Sequence, residues 1–157
     1  AQALWPVVGI VTSFTLAHSI TLALASLKWV SLPPSIIEPA IAATIVLAAI
    51  DNLRPIFRGR RALVTFLFGL IHGFGFAGVL GEMNLGSTQF AWVLLQFNLG
   101  LELGQLRLVV LAIGVLFLLR ESPRYPAWAI RGGSAACIVL GAAWFVERTA
   151  GWQLLPA

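Results

Sequence analysis

WPVVGIVTSFTLAHSITLALASL occupies residues 5–27, and a single ionisable side chain, His18, interrupts it. A helix rises 1.5 Å per residue, so about 20 apolar residues cross a hydrocarbon core about 30 Å thick. The stretch reads as a membrane-spanning helix. Apolar runs of comparable length recur at roughly 36–53, 62–81, 88–119 and 126–147. Backbone polar groups in lipid must find partners within their own segment, which a helix provides. The runs do not alternate as the strands of a barrel would. The expected fold class is therefore all-α, a polytopic transmembrane helix bundle of about five spans, forming a single transmembrane domain over residues 1–157.

Composition agrees. Of the 157 residues, 59% are hydrophobic and 10% charged, and the mean hydropathy is +0.93. A soluble domain carries about 25% charged residues, and this chain has too few polar groups to cover a water-exposed surface. The lipid bilayer is its first expected partner. The net charge of +4 and the isoelectric point near 10.7 invite a nucleic-acid reading, but the placement of the charges excludes it. Arg54, Arg58, Arg60 and Arg61 crowd one short loop, and Arg120 and Arg124 fall in another. Short loops between apolar spans collect arginine when they stay in the cytoplasm. No basic stripe interleaved with aromatics exists elsewhere. Loops 54–61 and 120–125 are thus expected to be cytoplasmic in a bacterial inner membrane, with 28–35, 82–88 and the C-terminus outside; Lys28 and Arg148 are weak counter-signals. The one cysteine, Cys137, lies inside an apolar run, which leaves no disulfide framework and no thiol metal cluster. The chain opens at Ala1 without an initiator Met and without a signal peptide, so it is expected to be a processed or partly covered form of something longer.

The connections have recognisable punctuation. Pro33-Pro34 separates the first two spans, and Pro55 and Gly59 sit in the arginine loop. Gly86-Ser87-Thr88 turns the third span into the fourth, and Pro123 and Pro126 open the fifth. As one helix, residues 88–119 would be about 48 Å long, beyond the thickness of the core. The segment either tilts and projects or breaks near Gly100 or Gly104.

Polar groups inside the spans carry the functional signal, because they cost energy in lipid and face the bundle interior or a cavity. His18 lies near the middle of the first span beside Thr15 and Ser19, and His72 near the middle of the third. Asn98, Glu102 and Gln105 follow at i, i+4 and i+7, one face of the fourth. Imidazoles and a carboxylate at similar depth make a first shell for Ni²⁺, Co²⁺ or Zn²⁺, with His18, His72, Glu102 and Asn98 as ligands and Thr15, Ser19, Gln105 and Asp51 in support. The competing reading makes each histidine a hydrogen-bonded strut between helices. Gly69 and Gly73 bracket His72, and Gly100 and Gly104 bracket Glu102, at the spacing that allows close helix packing. Asp51-Asn52 reads as a helix-end pair, and Glu38 as a first-turn carboxylate favoured by the helix dipole. Arg107 is read as half of an internal ion pair with Asp51 or Glu102, against snorkelling or marking where the membrane part begins.

Three stretches together resemble the HupE/UreJ membrane proteins: FTLAHSITL (14–22), FGLIHGFGFA (68–77) and FNLGLELGQ (97–105). The second span, from Ile36-Ile37-Glu38 to Asp51-Asn52, also fits, so the resemblance covers most of the chain up to about residue 106. It implies a small polytopic permease for nickel or another metal, with the role falling on His18, His72, Asn98, Glu102 and Gln105 by motif position. Similar proteins usually begin with a further helix bearing Gly-x-Asp-His, which is missing here.

The leading expectation is a transporter for a divalent metal ion, with no organic cofactor and no enzymatic activity. The alternative is a non-transporting accessory or structural subunit of a larger membrane complex, or a self-associating one, for which six tryptophans and ten phenylalanines suit an interface as well as a lipid belt. Haem ligation by His18 and His72 is a third reading. An intramembrane enzyme is disfavoured, because no Gly-x-Ser-x-Gly elbow exists.

Overall fold

A computed structural model of the chain describes residues 4–82, 87–119 and 126–152. In chain order it runs α1 (Leu4–Ser26), α2 (Pro34–Leu53), α3 (Arg61–Glu82), α4 (Ser87–Leu119), a π-helical turn (Pro126–Gly132) and α5 (Gly133–Ala150). No strand occurs among the described residues. The all-α membrane fold expected from hydropathy is present, with helix ends close to those read from sequence. The second arginine loop at 120–125, with Arg120, Arg124 and Pro123, lies outside the described residues, as does most of the 82–88 loop.

Among the described residues four helices are long and apolar enough to cross a membrane: Trp5–Ser26, Pro34–Leu53, Thr88–Leu119 and Trp128–Ala150. α3 has 22 residues, of which Arg61–Phe76 is an apolar stretch, and its glycines place it against α1, as described below. α4 passes through Gly100 and Gly104 without a break, so its 33 residues form one helix.

The helices are delimited by simple devices. Pro34 occupies the first turn of α2, where its missing N–H would have no helical partner anyway, and the Pro33 carbonyl accepts from Ile36 and Ile37 N–H. The α1–α2 turn closes with Lys28 at φ 60°, a left-handed conformation, and Lys28 N–H donating to the Ala25 carbonyl. Gly151 ends α5 at φ 71°, its N–H donating to Glu147 O.

The described residues up to Leu32 together with Arg60–Ala112 form one compact unit, and Pro33–Gly59 with those from Ile113 onward form another. In the first unit α1 and α3 run parallel, with Phe14 beside Gly69 and Leu22 beside Gly73. α4 runs antiparallel to α1 and packs through Phe90, Val93, Leu94 and Phe97 around the fully buried Leu22. In the second unit α2 and α5 are antiparallel. Gly141 of α5 lies against Ala42, Ile45 and Val46 of α2. Asn52 Nδ2 donates to Ser134 Oγ at one end (2.9 Å) and Arg148 pairs with Glu38 at the other (3.2 Å). Glu38 thus lies past the first turn of α2 and serves as a cross-helix partner rather than a dipole carboxylate.

Candidate functional site

Three kinds of residue on α1 decide the geometry. With successive residues turning ~100°, Phe14, Ala17 and Thr21 share one side, Thr12, Thr15 and Ser19 share another, and His18 lies between the two. α3 covers the first side and α4 the second, so His18 stands where the three helices meet.

The α1–α3 contact is close because glycine makes it so. A Cβ on Gly69 would stand 2.5 Å from the Phe14 carbonyl oxygen and 2.9 Å from Ala17 Cβ, and one on Gly73 would stand 2.5 Å from the His18 carbonyl oxygen and overlap Thr21 Oγ1. Gly69 lies about one turn before His72 and Gly73 directly after it, and Gly73 meets the His18 carbonyl oxygen, so the contact brings His72 to the same depth as α1's histidine. Both imidazoles meet the same ring: Phe14 stacks with His18 at a centroid distance of 5.9 Å and meets His72 edge-on at 5.3 Å. His72 is within electrostatic reach of His18.

Phe76 of α3 and Phe97 of α4 complete an aromatic enclosure around His18, at 5.8 and 6.0 Å. His18 is 1% exposed, and neither its Nδ1 nor its Nε2 has a hydrogen-bond partner. A buried polar group left without a partner costs about 1–3 kcal/mol. Such a group is rare in a folded chain and calls for an explanation. The strut reading, in which the histidine bonds a neighbouring helix, does not describe His18.

On the α4 side a ladder of side-chain hydrogen bonds crosses between helices. Ser19 Oγ donates to Asn98 Oδ1 (2.6 Å), Thr15 Oγ1 to Gln105 Oε1 (3.3 Å) and Thr12 Oγ1 to Glu102 Oε1 (2.8 Å). Asn98 Nδ2 turns back to the Leu94 carbonyl, 2.8 Å away. Every α4 oxygen in the ladder is thus an acceptor aimed at α1. Asn98 follows directly on Phe97, which joins the ladder to the aromatic enclosure.

The residues expected to form a site therefore separate. His18, His72, Asn98, Glu102, Gln105, Thr15 and Ser19 all belong to the first unit and cluster around α1. Asp51 belongs to the other unit, where its Oδ1 accepts the backbone N–H groups of Ile56 (2.7 Å) and Phe57 (2.8 Å) and shapes the loop after α2. Gly69 and Gly73 pack closely, whereas nothing lies within 4 Å of a Cβ at Gly100 or Gly104. These two glycines are exposed, because they occupy the side of α4 away from α1. Arg107 is also exposed and makes no side-chain ion pair or hydrogen bond among the described residues. The expected internal pair is absent for a geometric reason: Arg107 projects ~140° around the helix from Glu102, whose carboxylate takes its hydrogen bond from Thr12.

Thr12 was missed by the sequence reading. Its signal was present: Thr12, Thr15 and Ser19 follow at i, i+3 and i+7, a polar face that mirrors the one on α4. Among the described residues no group of three or more His, Cys, Asp or Glu side chains is arranged to hold a metal ion. What the arrangement offers is two imidazoles against the same Phe14 ring, with Asn98 held against Ser19, the chain neighbour of His18, and not a closed cage.

The family model described as HupE / UreJ protein matches residues 1–148. No curated protein and no solved structure matches the chain.

Proposed function

Since the chain belongs to the HupE/UreJ family on a match over nearly its whole length, we propose that it is a permease for a divalent metal ion such as nickel, cobalt or zinc, binding it through His18 and His72 with Asn98 and Glu102. The observation that carries this reading is His18, buried at a three-helix junction with both ring nitrogens unpartnered. A neutral imidazole has one lone pair to offer a metal, and imidazole and carboxylate donors suit these ions. A transport site must release its cargo, so two imidazoles supplemented by oxygen donors fit better than a closed tetrahedral set. Of the ladder's oxygens, Asn98 Oδ1 is held against Ser19, the neighbour of His18, whereas Glu102 is held against Thr12, six residues away along α1.

The test pairs thermal stability with metal. Ni²⁺, Co²⁺ or Zn²⁺ should raise the melting temperature of the parent chain. His18→Ala and His72→Ala should each weaken metal binding about tenfold or more, the equivalent of about 1.4 kcal/mol. Acid should release the metal, because a protonated imidazole has no lone pair. If metal shifts the parent no more than the double variant, the histidines are structural.

We further read the 54–61 and 120–125 loops as cytoplasmic in a bacterial inner membrane, from their arginines. In a Cys137→Ala background, an impermeant thiol reagent added outside should label Ser87→Cys and spare Arg58→Cys. The opposite labelling inverts the topology.

One observation favours the second reading, an accessory subunit of a larger membrane complex: the unpaired Arg107.

A further inference from the structure

α4 has two polar faces, and only one is used within the first unit. Asn98, Glu102 and Gln105 turn to α1. Gln96, Gly100, Gly104 and Arg107 follow at i, i+4, i+8 and i+11, which at ~100° per residue sets them on the opposite side of the helix. All four are exposed. Neither Gln96 nor Arg107 has a side-chain partner among the described residues, and open space surrounds both glycines.

Arg107 is the anomaly. The helix beyond it reads LVVLAIGVLFLL, residues 108–119, ~18 Å of purely apolar surface. Water would not accommodate that stretch, so it lies in hydrocarbon and Arg107 lies within the membrane. Snorkelling to the headgroups serves residues near helix ends, and Arg107 has this apolar length on one side and most of α4 on the other. A guanidinium facing lipid at that depth is expensive, and such residues normally face protein and pair with an opposite charge.

We propose that the Gln96–Gly100–Gly104–Arg107 face of α4 docks a transmembrane helix of a partner protein that carries an aspartate or glutamate at the depth of Arg107. Charge selects the partner: a fixed cation in low dielectric attracts a carboxylate strongly, and the guanidinium fork binds one through two parallel hydrogen bonds. The glycines supply the close approach that membrane helices use in place of a hydrophobic drive. A second copy of this chain does not fit. A two-fold axis along the membrane normal would bring Arg107 against its own copy, two like charges at one depth.

The experiment uses the full chain in zwitterionic phosphatidylcholine vesicles and, as probe, oligoleucine transmembrane peptides with a central Asp, Lys or Leu. Energy transfer between labelled protein and labelled peptide reports association. The Asp peptide should associate about tenfold more tightly than the Lys or Leu peptide. Arg107→Leu should abolish that preference, and Gly104→Ile should weaken association of the Asp peptide while shifting the melting temperature only by the small helix-propensity difference, since nothing neighbours Gly104. Equal association of the three peptides overturns the proposal, as does an Asp preference that survives Arg107→Leu. Self-association of the chain that is lost in Gly104→Ile also overturns it, in favour of a second copy.

Discussion

The two compact units handle polar groups in opposite ways. The α2–α5 pair places its cross-helix and loop-capping polar contacts near helix ends and satisfies them: Asp51 takes two backbone N–H groups, Asn52 bonds Ser134, and Glu38 pairs with Arg148. Between these ends lies an apolar contact fitted around Gly141. The unit of α1, α3 and α4 places its polar groups inside the spans. It bonds some of them helix to helix and leaves the imidazole of His18 without any partner. A pair with its polar groups satisfied at the ends suits a scaffold. A unit that retains an unsatisfied buried group is storing free energy at a point where a ligand would release it.

The contrast breaks most visibly at the glycines. Gly73→Val should cost about 3 kcal/mol, because the new Cβ meets the His18 carbonyl oxygen and Leu22 N, backbone atoms that give way only if α1 and α3 part. Gly100→Val should change stability by under about 1 kcal/mol, the helix-propensity difference alone, since open space receives the side chain. Chemical denaturation in a fixed detergent compares the two. Similar losses would mean that α4 is packed on its outer side in the isolated chain, and that the first unit's close contact is not special.

A change of opposite sign is expected at the site itself. His18→Leu replaces an unpartnered buried imidazole by an apolar side chain inside a ring of phenylalanines. It should stabilise the chain by about 1–2 kcal/mol while abolishing its thermal response to Ni²⁺, Co²⁺ and Zn²⁺. A destabilisation of that size would show that His18 has bonding the enclosure hides, and would erase the difference between the two units.

Much of this architecture was legible in the sequence because it follows from hydropathy and length. Spans of about 20 apolar residues have few alternatives in lipid, and prolines and arginines mark their ends. Gly69/Gly73 and Gly100/Gly104 show where legibility stops. Both pairs bracket a polar residue at the same spacing, and only the first pair meets a neighbour. Local pattern states what a face permits, and tertiary pairing determines whether it is used. Asp51 illustrates the same limit: a carboxylate in a span looks like a ligand until the fold puts it beside Ile56 and Phe57 N–H. The enclosure of His18 was illegible for a different reason. Phe14, Phe76 and Phe97 come from three helices, and phenylalanine is too common in membrane spans for its spacing to signal anything.

The smallest expected effect is the one that best tests whether the hydroxyl ladder is functional or merely structural. Ser19→Ala removes the hydroxyl whose single proton serves either Asn98 Oδ1 or the Thr15 carbonyl. Side-chain hydrogen bonds between membrane helices are worth about 0.6 kcal/mol on average, so the loss of stability should be near that. Asn52→Ala removes one comparable bond, to Ser134, in the other unit, and should cost about as much. The two variants are expected to differ in metal response. Without Ser19, Asn98 keeps its own bond to the Leu94 carbonyl, but its oxygen is no longer held toward α1 at the histidines' level. The metal-induced rise in melting temperature should shrink in Ser19→Ala and stay at the parent value in Asn52→Ala. Measuring both melting temperatures over a nickel titration separates the cases. A full metal response in Ser19→Ala would reduce the ladder to ordinary helix packing and leave the two imidazoles to bind alone, whereas equal weakening in both variants would show that metal response follows global stability and not the geometry of α1 and α4.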